Sequence, residues 1–155
     1  MENKKENRFE EHKNQFDLVG NPIKISNVYL PLSIFSDDPS GLESVSKYLK
    51  DIMGMRYCTI ADLLNRDDRT IWGACKSATE KLNGTSFEKN SGIQIPVSIF
   101  QNRSLSILES LTEYLKEELN LRYCKIAALL NKDQRTIWTF YNRAKKKRKQ
   151  YGQPN

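Results

Sequence analysis

Two stretches of the chain are nearly the same: RYCTIADLLNRDDRTIW at residues 56–72 and RYCKIAALLNKDQRTIW at residues 122–138. The copies lie 66 residues apart, and only four of their 17 positions differ. A repeat of this period indicates one supersecondary unit that the chain makes twice. A chain of 155 residues therefore suits two small units that share a core.

Apolar residues before each copy recur at helical spacings of three and four. They predict a supporting helix after Ser40 and after Ser106, each opened by a capping box with a Glu three residues later. In the second repeat the apolar stripe is completed by Leu119. Gly54 and Asn120, which tolerate left-handed backbone, mark the predicted ends of these helices.

Each copy itself predicts a short helix, a three-residue turn and a longer helix. The predicted spans are 57–64, 65–67 and 68–82 in the first copy, and 123–130, 131–133 and 134–149 in the second. Asn65 and Asn131 suit a left-handed turn position. Asp67 and Asp133 are expected to cap the longer helix with their side chains.

Apolar residues alternate in residues 28–35 and 93–100, which predicts a half-buried strand before each unit. Pro31 and Pro96 each remove one backbone donor, so neither strand is expected to be central in a wide sheet. Because the two segments correspond, we expect the strands to pair about a pseudo-twofold axis.

The predicted fold is mainly α, with two tandem tri-helical helix-turn-helix units, each preceded by a short strand. The expected divisions are a mobile arm (1–22), the first strand and unit (23–82), a linker (83–92), the second strand and unit (93–149), and a frayed tail (150–155).

The surplus of positive charge lies in the last part of the chain. The whole chain has a net charge of +6. Residues 1–22 and 23–88 each carry a net charge of −1, whereas residues 89–155 carry 13 basic and 5 acidic residues, a net charge of +8. This asymmetry favours a polyanionic partner that contacts mainly the C-terminal half.

Several classes of protein are not indicated. The sequence has no long apolar run that would span a membrane and no apolar core of a secretory signal, so we expect an intracellular protein, cytoplasmic or nucleoid-associated. The three cysteines have no Cys-x-x-Cys or Cys/His cluster, and we expect reduced thiols packed as small apolar groups. No catalytic set, phosphate loop, metal site or cofactor motif is recognised, so an enzyme is not predicted.

Three helices with a short turn before the last one form the helix-turn-helix layout. The pattern Tyr-x-x-Ile-Ala-x-Leu-Leu-Asn-x-Asp-x-Arg-Thr-Ile is followed, seven residues after its last Ile, by Ala78 or Ala144. This pattern resembles the helix-turn-helix of the fourth region of bacterial sigma factors and of LuxR-type regulators. The resemblance covers roughly residues 40–82 and 104–148.

The chain departs from the family pattern at two places in each copy. Arg66 and Lys132 stand where the family usually has an apolar turn residue. Trp72 and Trp138 stand where it usually has a polar residue. The tryptophans are expected either to contact DNA or to pack the longer helix against another part of the protein.

The resemblance implies that the longer helix of each unit enters the major groove of DNA. The second copy supports this chemically, since Arg can pair with guanine, Asn with adenine, and Thr with the thymine methyl group, while lysines contact phosphates. Its candidate residues are Arg135, Thr139, Asn142, Lys146, Trp138, Arg143, Lys145 and Lys149. In the first copy they are Arg69, Lys76 and Trp72.

The reading face of the first copy is poorer, because Gly73 offers no side chain and Glu80 would repel phosphate. We therefore expect the second unit to be the main reader, and the first a weaker reader or a structural partner. The expected function is sequence-preferring binding of double-stranded DNA in transcription regulation. Two alternatives stay open: an architectural protein that coats DNA with little base preference, and an adaptor that docks a polymerase or partner helix. Self-association also stays open.

Overall fold

Over the residues that the structure describes, the protein is mainly helical, with one two-stranded antiparallel sheet. The computed structural model describes residues 28–36, 39, 41–83, 87 and 92–152. The predicted N-terminal arm, most of the linker, Ser40 of the first capping box and the last three residues lie outside the described residues. Within the described part, no helix combines the length and the apolar character needed to cross a membrane.

The two halves have the same order of elements: a strand, a 3-10 helix and three α-helices. The first half consists of β1 (Tyr29–Pro31), a 3-10 helix (Leu32–Phe35), α1 (Gly41–Asp51), α2 (Tyr57–Leu64) and α3 (Asp68–Lys81). The second half consists of β2 (Gln94–Pro96), a 3-10 helix (Val97–Gln101), α4 (Ile107–Glu117), α5 (Tyr123–Leu129) and α6 (Gln134–Gln150). The predicted helices are confirmed, with ends displaced by a residue where they differ: α6 includes Gln150, which was assigned to the tail.

The predicted strands are shorter than expected. Only three residues of each segment are extended, and Leu32 and Ile34 lie in a 3-10 helix instead. Pro31 and Pro96 precede the turn in each half, with φ of −68° at both. Because proline has no N–H to donate to a further strand, each strand can lie only at a sheet edge, and the 3-10 helix begins directly after it. Leu32 and Ile34 are buried in the 3-10 helix as well, so their alternation could not reveal the change.

The predicted pairing of the strands is confirmed. Leu30 lies opposite its counterpart Ile95, and the register is symmetrical about that pair. The hydrogen bonds flanking it also correspond: Leu32 N–H donates to Ile93 at 2.9 Å and Val97 N–H donates to Val28 at 3.0 Å. This is the register that the predicted pseudo-twofold axis requires.

One apolar core is shared by both halves. The rings of Phe35 and its counterpart Phe100 lie 5.9 Å apart, next to the sheet. A Cβ added at Gly41 would lie 3.0 Å from Ile107, so the first residues of α1 and α4 are also in close contact. The core cluster then continues into the helices on both sides; its members include Leu49, Ile60, Leu64, Ile71, Leu111, Leu115, Ile126, Leu130 and Ile137.

The predicted helix ends and turns are largely confirmed. Gly54 and Asn120 have φ of 66° and 51°, and Asn65 and Asn131 have φ of 52° and 49°. All four therefore adopt the left-handed conformation that Gly and Asn tolerate best. The capping box at Ser106 is also present, with both of its hydrogen bonds.

One prediction about the helix ends is confirmed only in part, and one is wrong. Asp67 and Asp133 occupy the N-cap positions of α3 and α6, but neither side chain accepts a capping hydrogen bond. The two carboxylates still stabilise α3 and α6, because a negative charge is favourable at the positive end of a helix dipole. Leu119 does not complete the buried stripe, because α4 ends at Glu117 and leaves Leu119 38% exposed.

Candidate nucleic-acid interface

The outward face of α6 carries most of the residues predicted to contact DNA. The helix follows a left-handed turn at Asn131 and is held against the core by Ile137 and Ala144, both fully buried. At 100° per residue, the side chains opposite those two point away from the core. Those that are exposed are Arg135, Trp138, Asn142, Arg143, Lys146 and Lys149. Thr139 lies on the same face and is half-buried.

The inward face of α6 is held by acidic residues of α4. Glu109, Glu113 and Glu117 recur at a spacing of four, so they lie in one row along α4. Each bonds a basic residue of α6: Glu109 accepts from Lys147 at 2.8 Å, Glu113 from Arg148 at 2.6 Å, and Glu117 from Lys145 at 2.6 Å. These three ion pairs, called the acidic ladder below, fix the rotation of α6 about its own axis.

The acidic ladder divides the basic run 145–149 into two groups. Lys145, predicted to contact DNA, is turned towards α4, together with Lys147 and Arg148. Lys146 and Lys149 point outward. With Arg135 and Arg143 they form a set of four cations that make no ion pair with any residue that the structure describes. The helix itself contains no Asp or Glu, so its outward face is strongly positive.

Two of the predicted base-reading residues bond their own helix. The Asn142 amide donates to the carbonyl of Trp138 at 2.8 Å, and the Thr139 hydroxyl donates to the carbonyl of Arg135 at 2.9 Å. Each side chain keeps acceptor capacity on its oxygen. Asn142 would have to rotate away from the helix to pair bidentately with adenine, whereas Arg135 has no such bond to break among the described residues.

Both tryptophans are exposed. Trp72 is 51% exposed and Trp138 is 54% exposed. Trp138 lines an open groove with Tyr123, Asp133 and Arg135, so the aromatic ring and the guanidinium flank one surface. Within the described part of the chain, neither tryptophan is buried between the longer helix and another element. The interpretation of the two tryptophans as internal packing residues is therefore wrong for that part of the chain.

The outward face of α3 differs from that of α6. Arg69 and Lys76 are exposed as predicted, and the Lys76 ammonium lies 5.3 Å from the centre of the Trp72 ring. Gly73 opens onto empty space, and Glu80 is exposed on the same side. The charges of this face therefore partly cancel, in contrast to α6.

Tyr141 connects α6 to the supporting helix. Its hydroxyl donates to Glu117 at 2.5 Å, and its ring meets that of Tyr123 edge-on at 5.8 Å. The hydrogen bond from Lys145, followed by that from Tyr141, lowers the pKa of Glu117. The bond to Glu117 raises the pKa of Tyr141, so this residue donates its proton rather than ionising. This contact orients α6 and is unavailable to a ligand.

The acidic ladder was not predicted from the sequence, although a signal was present. Glu109, Glu113 and Glu117 recur every four residues, which places them on one face of a helix. The basic residues 145–149 are consecutive, so they must lie on more than one face of theirs. Placing the series opposite the basic run requires the packing of α4 on α6, which the structure supplies. A partial parallel exists in the first half, where Lys81 bonds Glu43 at 2.9 Å.

The described residues contain no group of three or more His, Cys, Asp or Glu side chains that could hold a metal ion. All three cysteines are free thiols. Cys75 is buried, and burial raises its pKa to about 11. Cys124 is exposed, which corrects the expectation that all three thiols pack as small apolar groups.

Comparisons of the chain with protein-family models, with curated proteins and with solved structures found no match. The resemblance to the fourth region of sigma factors and to LuxR-type regulators therefore stays a prediction that rests on the residues of the repeat.

Proposed function

We propose that the chain binds double-stranded DNA with base preference, through two helix-turn-helix units formed by α2–α3 and α5–α6, and that it regulates transcription. The observation that carries the proposal is the sorting of charge on α6. Inward cations are neutralised by the acidic ladder, while Arg135, Arg143, Lys146 and Lys149 have no acidic partner among the described residues. A helix with one neutralised and one strongly positive face suits insertion between two phosphate backbones.

In this proposal the outward residues of α6 make two kinds of contact, with base edges and with phosphates. Arg135, one residue after the start of the helix, reads a guanine edge, since residues near the start of a recognition helix contact the bases. Asn142 reads adenine after its amide leaves the Trp138 carbonyl. Lys146, Lys149 and Arg143 contact phosphates and position the helix.

The first unit acts as the weaker reader. Its outward helix presents Arg69 and Lys76, but Gly73 provides no side chain and Glu80 is unfavourable near phosphate. With the two halves joined through the symmetrical β1–β2 pair, one chain would imitate a helix-turn-helix dimer. Such a dimer binds half-sites about one helical turn apart.

The proposal is tested by replacing Arg135 with Ala and measuring binding to a selected duplex and to single-base variants of it. We expect a loss of about 1–3 kcal/mol in binding free energy and a relaxed preference at one base pair. Unchanged affinity and unchanged preference would remove Arg135 from the reading face. Ser33→Ala is a suitable control, since Ser33 is exposed in the first 3-10 helix and belongs to neither reading helix.

Two other functions are each favoured by one observation. The bonds of Thr139 and Asn142 to their own helix favour an architectural protein that coats DNA without reading bases. The exposed Trp72 and Trp138 favour an adaptor that docks a polymerase or partner helix. A coat would bind all duplexes with a steep salt dependence, whereas an adaptor would bind duplex DNA poorly at any salt concentration.

A further inference from the structure

A cleft lies between the two halves, and the residues of α6 that line it are not those of its outward face. Arg66 and the first residues of α1 line it from the first half. The second half contributes the loop 103–106, the start of α4, and Phe140 and Lys147 of α6. Because Arg66 belongs to the turn before α3, the cleft also borders the start of the proposed reading helix of the first unit.

Arg66 crosses from one half to the other. Its guanidinium donates to the carbonyl of Leu105 in the second half at 3.1 Å and to that of Leu64 at 3.3 Å. A further contact to Asn65 is 3.5 Å long. Three carbonyl contacts leave at least two of the five N–H donors of an arginine free. The side chain is therefore held in place and still able to bind an anion.

Arg103 places a second positive charge beside Arg66. Burial lowers the pKa of Arg66, and the charge of Arg103 lowers it further. Arg103 is exposed and makes no hydrogen bond or ion pair with any residue that the structure describes. Lys147, also in the cleft, is bonded to Glu109. No described residue that lines the cleft is Asp or Glu, so the two arginines repel each other without a compensating charge.

We infer that Arg66 and Arg103 form a phosphate-binding site at the boundary between the halves, and that its ligand is one phosphodiester group of bound DNA. A phosphate between them would replace the repulsion with two charge-assisted contacts, and the planar guanidinium matches phosphate geometry. This inference rests on the proposed function. It adds a contact on the DNA backbone beside the start of α3, made by residues of both halves together.

The test uses Arg103→Ala in the full chain, because Arg103 supports no described contact and its loss leaves the fold intact. Binding to one selected duplex is measured over a series of KCl concentrations. Each phosphate contact contributes about 0.9 to the slope of log K against log salt. We expect the slope to fall by about that amount, with the base preference unchanged. Lys81→Gln is the charge-matched control, since Lys81 is paired with Glu43 of α1 and should leave the slope unchanged.

The outcomes are separable. If the wild-type chain binds duplex DNA and Arg103→Ala keeps the full slope, the phosphate site is overturned while the proposed function stands. An unchanged slope together with a lower urea midpoint would overturn it as well, and would give Arg103 a structural role instead. If the wild-type chain binds no duplex at any salt concentration, the proposed function fails, and the phosphate site fails with it.

Discussion

Lys146 and Lys147 are adjacent in the sequence and carry the same charge, yet the structure gives them opposite roles. Lys146 is exposed on the outward face of α6 and has no described partner. Lys147 bonds Glu109 at 2.8 Å across the interface of α6 with α4. Replacing each with Gln, in separate variants, removes one charge and keeps a long polar side chain. We expect the first change to weaken DNA binding and the second to weaken the fold.

The expected magnitudes follow from the surroundings of each lysine. Lys147→Gln leaves the Glu109 carboxylate, whose side chain is only 5% exposed, with the Ser106 N–H as its remaining donor among the described residues. Breaking a fully buried pair costs about 3–5 kcal/mol, and an exposed pair contributes at most about 1 kcal/mol. Because the Lys147 side chain is 36% exposed, we expect a loss of roughly 1–3 kcal/mol in the free energy of unfolding.

Lys146→Gln is expected to change the free energy of unfolding by no more than about 0.5 kcal/mol, as for other exposed substitutions. If Lys146 contacts one phosphate, the slope of log K against log salt falls by about 0.9. Urea denaturation measures the stability, and fluorescence anisotropy of a labelled duplex over a KCl series measures the slope. Equal losses of slope in the two variants, or a larger destabilisation by Lys146→Gln, would refute these opposite roles of the two lysines.

Three further predictions concern the scaffold. Asn131→Ala should destabilise the protein by about 1–2 kcal/mol in urea denaturation, because Asn131 has a φ of 49°, which alanine tolerates poorly. Asn131→Gly should be nearly neutral, since glycine adopts this conformation readily. Equal losses of stability in the two variants would contradict a conformational cause. Gly73→Ala should stabilise the protein by about 0.5–1 kcal/mol, since Gly73 lies inside α3 with open space around its Cα, and a loss of stability would show an unrecognised contact. A thiol reagent at pH 8 should modify the exposed Cys124 readily in the folded protein. It should modify Cys75 only upon unfolding, because Cys75 is buried and its pKa is raised to about 11. Equal rates of modification at the two cysteines would contradict the burial pattern.

The helices and turns were predictable because the residues that specify them occur twice in the sequence. Gly54 and Asn120 differ in identity but share a left-handed conformation, so two independent residues indicated the same helix end. The symmetrical pairing of β1 with β2 followed from the same duplication. Local sequence was sufficient wherever the deciding interaction lies within a few residues.

The sequence was insufficient where contacts between distant elements decide. Alternation over residues 28–35 is compatible with both a strand and a short strand followed by a 3-10 helix, since Leu32 and Ile34 are buried in either case. Which lysines of the run 145–149 face outward depends on the three glutamates of α4, 28 to 38 residues earlier in the chain. The role of Arg66 depends on a carbonyl 39 residues away.

Binding-site selection from random duplexes at two KCl concentrations tests directly whether this chain reads the sequence of double-stranded DNA. We predict enrichment of a two-part motif with its halves about one helical turn apart, and Arg135→Ala should weaken selection of the stronger half. Salt-sensitive binding without any enriched motif would contradict base reading and favour a DNA coat. The absence of duplex binding at both concentrations would contradict DNA binding altogether and favour an adaptor.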